Sequence, residues 1–185
     1  MSQPLGAGRS DAYLPSLIER YEGPSPMTAT IDTGIDKADR GAVARELTKV
    51  LADSYAVYLK THGYHWNVRG PEFFSYHNLL ELQYRELWAA LDEIAERIRQ
   101  LGEFAPQGYA TFANLTSIKD GDPENDAQAM IAELMRDHET VIGTLRASMD
   151  VAAEAGDDTS VDLLTQRLAA HEKAAWMLRA SVGAR

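Results

Sequence analysis

From Phe73 to Leu101 the chain holds no glycine or proline, and apolar side chains return at three- and four-residue steps: Phe73, Leu80, Tyr84, Leu87, Leu91, Ile94, Ile98 and Leu101. That period is the signature of an amphipathic α-helix. It predicts a helix from about Glu72 to Leu101, stopped by Gly102. Just upstream, Asn67-Val68-Arg69-Gly70-Pro71 breaks the period, because glycine turns freely and proline lacks a helical donor. Before that break, Val43, Leu47, Val50, Leu51, Ser54, Val57, Tyr58, Thr61 and His65 share one stripe. They predict a first helix from about Arg40 to Trp66, with Asp39 as its cap. Two more helices follow, from about Glu124 to Ala155 with Met130, Leu134, Val141, Leu145 and Met149 inward, and from about Ser160 to Val182 after the turn Gly156-Asp157-Asp158-Thr159. The stretch from Glu103 to Asn125 is long for a plain loop, and Tyr109–Ser117 has room for a short helix. The pattern is all-α.

Residues 1–38 read differently. They carry Pro4, Pro15, Pro24 and Pro26 with Gly6, Gly8, Gly23 and Gly34, a composition expected of an extended, flexible tail. The short apolar patch Tyr13–Ile18 is the one part of the tail suited to docking on a neighbour. The helical domain is then 39–185. A chain of 185 residues with 45% hydrophobic content supports one domain with a sizeable core. No run approaches the roughly eighteen apolar residues that span a bilayer, and the N-terminus lacks the apolar stretch of a signal peptide. The cytoplasm is the default expectation. With no cysteine, disulfides, thiol catalysis and thiolate metal sites are excluded. A net charge of −10 argues against broad electrostatic grip on nucleic acid, whose phosphates reward lysine and arginine.

The candidate chemistry lies between His62 and Glu96. His77 and Glu81 are four residues apart, as are Asp92 and Glu96, and Glu81 and Asp92 are separated by eleven, close to three whole turns. All four therefore lie along one stripe of one helix. A stripe of His, Glu, Asp and Glu bordering apolar positions is costly to bury unless something compensates the charges. A metal ion would. Eleven residues span about 16 Å along the axis, whereas opposite ligands of one ion are only about 4–5 Å apart. One ion cannot take ligands from both pairs of the same helix. Two copies packed antiparallel about a two-fold axis would bring His77 and Glu81 of one to Asp92 and Glu96 of the other, making two equivalent sites. His65 faces the same partner and adds a second imidazole. Two histidines and a carboxylate with open positions suit ferrous iron and its oxidation, although zinc also accepts such ligands.

These residues carry a resemblance. His65-Trp66-Asn67-Val68-Arg69-Gly70, Phe73 or Phe74, His77 with Glu81, and Asp92-Glu93-Ile94-Ala95-Glu96-Arg97 resemble the signature of the Dps family, the mini-ferritins. Weaker similarity, through Asp157–Leu164 and Lys173–Trp176, extends it over roughly residues 40–182. The resemblance implies a ferritin-like four-helix bundle with a short extra helix between helices two and three, assembled from two-fold dimers into a hollow homododecamer. It implies a ferroxidase centre between subunits that oxidises Fe(II), usually with hydrogen peroxide, and stores ferric mineral, protecting the cell from oxidative damage. His65, His77 and Glu81 would come from one subunit, and Asp92 and Glu96 from its mate. The family usually has Asp where this chain has Glu81. An acidic wall would draw Fe²⁺ toward such a cavity, with Glu93 and Glu103 as candidates to face it and nucleate mineral.

Other residues have competing readings. His62, three residues before His65, is a further candidate ligand or a supporting group. Trp66 suits radical quenching or electron transfer as well as packing. Glu96 could equally pair with Arg97 or Arg99, and His77 with Glu81 could be a surface pair. His138 and His171 have no carboxylates arranged for chelation and read as structural. The acidic run Asp120, Asp122, Glu124, Asp126 reads best as favouring the positive end of a helix dipole. Some members of the family grip DNA with a lysine-rich tail. Here Arg9, Arg20 and Lys37 face Asp11, Glu19, Glu22, Asp32 and Asp36, so DNA binding through the tail is not expected. The alternative function is a DNA-compacting or structural four-helix protein without redox activity. The 24-subunit ferritins use Glu-x-x-His pairs within one bundle, and this chain has none.

Overall fold

Helix α1 spans Lys37–Asn67, α2 Phe73–Gln100, α3 Tyr109–Leu115, α4 Ala127–Glu154 and α5 Asp158–Ser181. The structure, a computed structural model, describes residues 31–183, and among them there is no strand. The Tyr13–Ile18 patch lies outside the described residues. Helix α1 starts three residues earlier than its apolar stripe predicts, with Asp36 at the N-cap position, which leaves Asp39 inside the first turn, where its charge favours the helix dipole.

Contacts between helices set the directions. Lys60 of α1 reaches Glu133 and Asp137 of α4 at 3.1 and 2.7 Å, while Asp53 accepts from Thr144 at 2.8 Å; numbers rise on one helix as they fall on the other, so α1 and α4 are antiparallel. Tyr76 donates to the Ser181 carbonyl, Arg167 pairs with Glu86, and Arg97 meets Asp157 at 2.6 Å. Helices α2 and α5 are therefore antiparallel too. With the α1–α2 and α4–α5 hairpins, the order is up, down, down, up. Helices α2 and α4 run the same way, so the chain must travel the length of the bundle between them. That is the physical reason for the long segment after Leu101.

The crossover is anchored rather than loose. Asp53, 2% exposed, accepts from Thr116 Oγ1, from Ser117 N and Oγ, and from Thr144 Oγ1. Phe112 of α3 stacks on Tyr55 at 4.4 Å. Gly121 allows the next close approach, since a Cβ there would sit 2.7 Å from the Tyr64 ring and 3.0 Å from Lys60 Cγ. Asp126 then caps helix α4, its side chain accepting from Ala129 N. Helix α4 ends in a Schellman turn: Asp157 N bonds Ala152 O, Gly156 N bonds Ala153 O, and Gly156 takes φ +67°. Asp157 immediately caps α5 by accepting from Ser160 N.

The core forms two clusters. One joins Leu47, Val50, Leu87, Ile94, Ile98, Val141, Leu145 and Leu164; the other joins Tyr64, Leu80, Met130, Ile131, Leu134 and Leu178. Met130, Leu134, Val141 and Leu145 face inward as their spacing predicts, with Met149 half-buried against the first cluster. Some polar groups in the core are paired, while Ser54, Thr61 and Gln83 are buried with no side-chain hydrogen-bond partner among the described residues. His138 and His171, each 1% exposed, share an Nδ1···Nδ1 hydrogen bond of 2.9 Å, in keeping with a structural role. No helix among the described residues is long and apolar enough to cross a membrane.

Candidate metal centre

The α1–α2 hairpin decides which residues meet. Val68 closes α1 by donating to Tyr64 O, Gly70 takes φ +119°, and Phe73 N bonds Gly70 O to start α2. This five-residue turn places His65, near the end of α1, against His77, in the second turn of α2. Their rings stack with centroids 3.8 Å apart and 19° between planes. Each ring is also tied to the other residue's backbone: His65 Nδ1 lies 2.9 Å from His77 O, and His77 Nδ1 lies 2.9 Å from His65 O.

That reciprocal bond determines the tautomer. A carbonyl oxygen only accepts, so each Nδ1 carries a proton, and the neutral form of each ring is the tautomer with its lone pair on Nε2. Neither Nε2 has a hydrogen-bond partner among the described residues. A ligating histidine typically has one nitrogen donated to a carbonyl and the other offered to the ion. The walls around the pair are aromatic: Phe73 lies 5.0 Å from His77, and Tyr84 meets His65 edge-on at 5.1 Å.

Glu81 stands one turn beyond His77 but is turned to Arg85. Arg85 Nε and Nη2 both reach Glu81 Oε1, at 2.8 and 2.6 Å. The Arg85 hydrogen bond, with help from Arg85, His65 and His77 charge, holds the Glu81 carboxyl below the usual range. The surface pair here is thus Glu81 with Arg85, not His77 with Glu81.

Asp92 and Glu96 are exposed further down α2, and neither forms a hydrogen bond or ion pair among the described residues. The pairing of Glu96 with a neighbouring arginine does not occur. Arg97 turns inward to Asp157 and Ser160, and Arg99 donates to the Glu103 carbonyl. Trp88, 61% exposed, lies between the two pairs on the same stripe, seven residues after Glu81 and four before Asp92.

Within one chain, then, the structure brings His65 and His77 together and leaves Asp92 and Glu96 elsewhere. Among the described residues no three His, Asp or Glu side chains converge closely enough to hold an ion, the expected set of His65, His77 and Glu81 included. Glu81 Oε1 is instead engaged by Arg85. His62 stands beside the pair. Its ring stacks on Tyr84 at 4.0 Å and meets Trp66 at 4.2 Å, 6.1 Å from His65. Burial, with the His65 charge, pushes its imidazole below the ordinary value. Trp66 is 67% exposed and covers His62 rather than packing in the core. Arg85 and Trp88 are not found by a search for ligand spacing. The signal for Arg85 was the i, i+4 distance from Glu81; that for Trp88 was a large aromatic on a polar stripe.

The profile of the Ferritin-like domain family matches residues 44–184. An uncharacterised low-temperature-induced protein of Nostoc is 39% identical over 155 residues, covering 82% of this chain and 86% of that protein. DNA protection during starvation protein 2 of Bacillus anthracis is 35% identical over 138 residues, covering 75% and 94%. Among solved structures, the Dps protein of Vibrio cholerae, described as a member of a superfamily of ferritin-like diiron-carboxylate proteins, superposes with a TM-score of 0.77 at 29% identity. That match covers 80% of this chain and 93% of the other.

Proposed function

We propose, on the premise that this chain belongs to the Dps family of ferritin-like proteins, that it is a ferroxidase and iron store whose metal centre is completed by a second copy. The carrying observation is the His65–His77 pair, with both Nδ1 protons fixed on backbone carbonyls and both Nε2 lone pairs free. Such a pair is preorganised for a divalent cation, and neither Nε2 has a hydrogen-bond partner among the described residues. Asp92 and Glu96 are the reciprocal half: two carboxylates with no internal counter-charge, on the stripe where Trp88 is exposed.

Fe(II) is the substrate. Two ferrous ions each give up one electron, and hydrogen peroxide accepts both as its O–O bond breaks to hydroxide. Holding both ions in one site pairs the two electrons, so hydroxyl radical is not released. His65 and His77 bind through Nε2, and Glu81, Asp92 and Glu96 balance the charge of the ions. Tyr84 and Phe73 limit water on the histidine side. His62 stays neutral behind Tyr84 as a support for the aromatic wall. The oxidised iron is stored inside a hollow dodecamer built from two-fold dimers, as in the mini-ferritin pattern, and zinc competes for the same ligands. A cytoplasmic location fits this chemistry.

The test is Fe(II) oxidation with stoichiometric peroxide under anaerobic conditions. Replacing His65 with Ala lowers the rate by about a hundredfold or more, given that even supporting groups cost 10–100-fold. An unchanged rate would falsify the ferroxidase reading. The DNA-compacting alternative predicts a basic surface, which the net charge of −10 opposes.

A further inference from the structure

Arg85 is not part of the ligand pattern, yet it holds one of the ligands. Both of its donors, Nε at 2.8 Å and Nη2 at 2.6 Å, converge on the single oxygen Oε1 of Glu81. Oε2 has no partner among the described residues. The guanidinium is steadied from the other side, with its central carbon 5.9 Å from the Tyr84 ring centroid, and Tyr84 itself packs on His65. The fork is exposed, and it stands beside the wall of the histidine pair through Tyr84.

We infer that Arg85 is a positioning residue that keeps Glu81 a one-oxygen ligand and lowers the cation affinity of the metal position that Glu81 serves. This inference rests on the two-chain centre proposed above. A carboxylate free of Arg85 could grip an ion with both oxygens. With Oε1 taken, only Oε2 is offered. The arginine also brings a positive charge beside an incoming cation, and arginine keeps that charge at any working pH. The longer side chain of Glu81 belongs to the same arrangement: its extra methylene carries the carboxylate out to the guanidinium one turn further along α2.

The test uses the intact assembly and Co²⁺ or Zn²⁺, which bind without turnover. Binding is followed by calorimetry and, for Co²⁺, by the visible ligand-field spectrum. In Arg85→Ala the binding step served by Glu81 tightens by about tenfold, the low end of the effect of one neighbouring charge on a carboxylate, while any other step is unchanged. Arg85→Lys restores the charge without the fork and falls between the two. Arg85 is exposed, so neither variant threatens the fold. Superimposable isotherms for wild type, Arg85→Ala and Arg85→Lys, with binding still abolished by His65→Ala, overturn the role of Arg85 alone. A wild-type protein whose cation uptake is indifferent to His65→Ala overturns the metal centre and this inference with it.

Discussion

Mixing two inactive variants tests the two-chain centre more severely than any single substitution. Asp92 lies fifteen residues beyond His77 on α2, about 22 Å along a helix axis. No side-chain motion closes that gap within one subunit, since ligands of one ion lie about 4–5 Å apart. In the proposed centre the two halves therefore come from different chains. Consider His65→Ala and Asp92→Asn, each inactive alone because every site in a two-fold dimer contains one defect. In a mixed dimer the defects segregate: one site holds both, and the other holds intact His65, His77 and Glu81 from one chain with intact Asp92 and Glu96 from its mate. Random pairing at equal concentrations makes half of the dimers mixed, so about a quarter of all sites regain full ligation. The assay is peroxide-driven Fe(II) oxidation, read as near-ultraviolet absorbance of ferric oxo species, after the chains are unfolded together and reassembled. Recovery of about a quarter of the wild-type rate is expected. A mixture no faster than the average of its two components would refute the shared site, as would full activity in Asp92→Asn alone.

Three further outcomes follow from the interior. Burial, with Arg167 nearby, drives His138 down to about 4, and burial with the His138 charge pushes His171 well below its ordinary 6.5. The unfolded chain therefore binds more protons between about pH 4 and 6.5; this stabilising contribution is complete above 6.5 and is lost as pH falls through the window. Urea midpoints at pH 7 and pH 5 should separate less in a His138→Gln, His171→Gln double variant than in the wild type. Arg97→Ala strands Asp157, 1% exposed, and removes a bond to Ser160 at the α4–α5 turn; chemical denaturation should show a loss of about 3 kcal/mol. Asp53→Ala leaves three hydroxyls and the Ser117 amide without their acceptor. It should cost about 2–4 kcal/mol in denaturation and raise amide exchange across Thr116–Ile118 before it affects α4.

The helices and the ligand stripe were legible because both are local. A 3.6-residue period shows in Phe73–Leu101 and in Val43–His65 whatever the rest of the chain does, and the positions of His77, Glu81, Asp92 and Glu96 on one face follow from helical rise alone. So does the mismatch between a 16 Å separation and the size of a coordination sphere, which called for a second chain before any fold was known. Helix ends were less legible. Asp36 rather than Asp39 takes the N-cap position of α1, and its side chain makes no capping hydrogen bond there. Tertiary structure alone decided the rest. The partnership of Arg97 with Asp157 instead of Glu96 depends on where α5 begins, sixty residues away in the chain. The His65 and His77 protons are fixed by carbonyls that meet only when the hairpin closes. Spacing tells which side chains share a face; which hydrogen-bond acceptor each of them finds is set by a neighbour that only folding supplies.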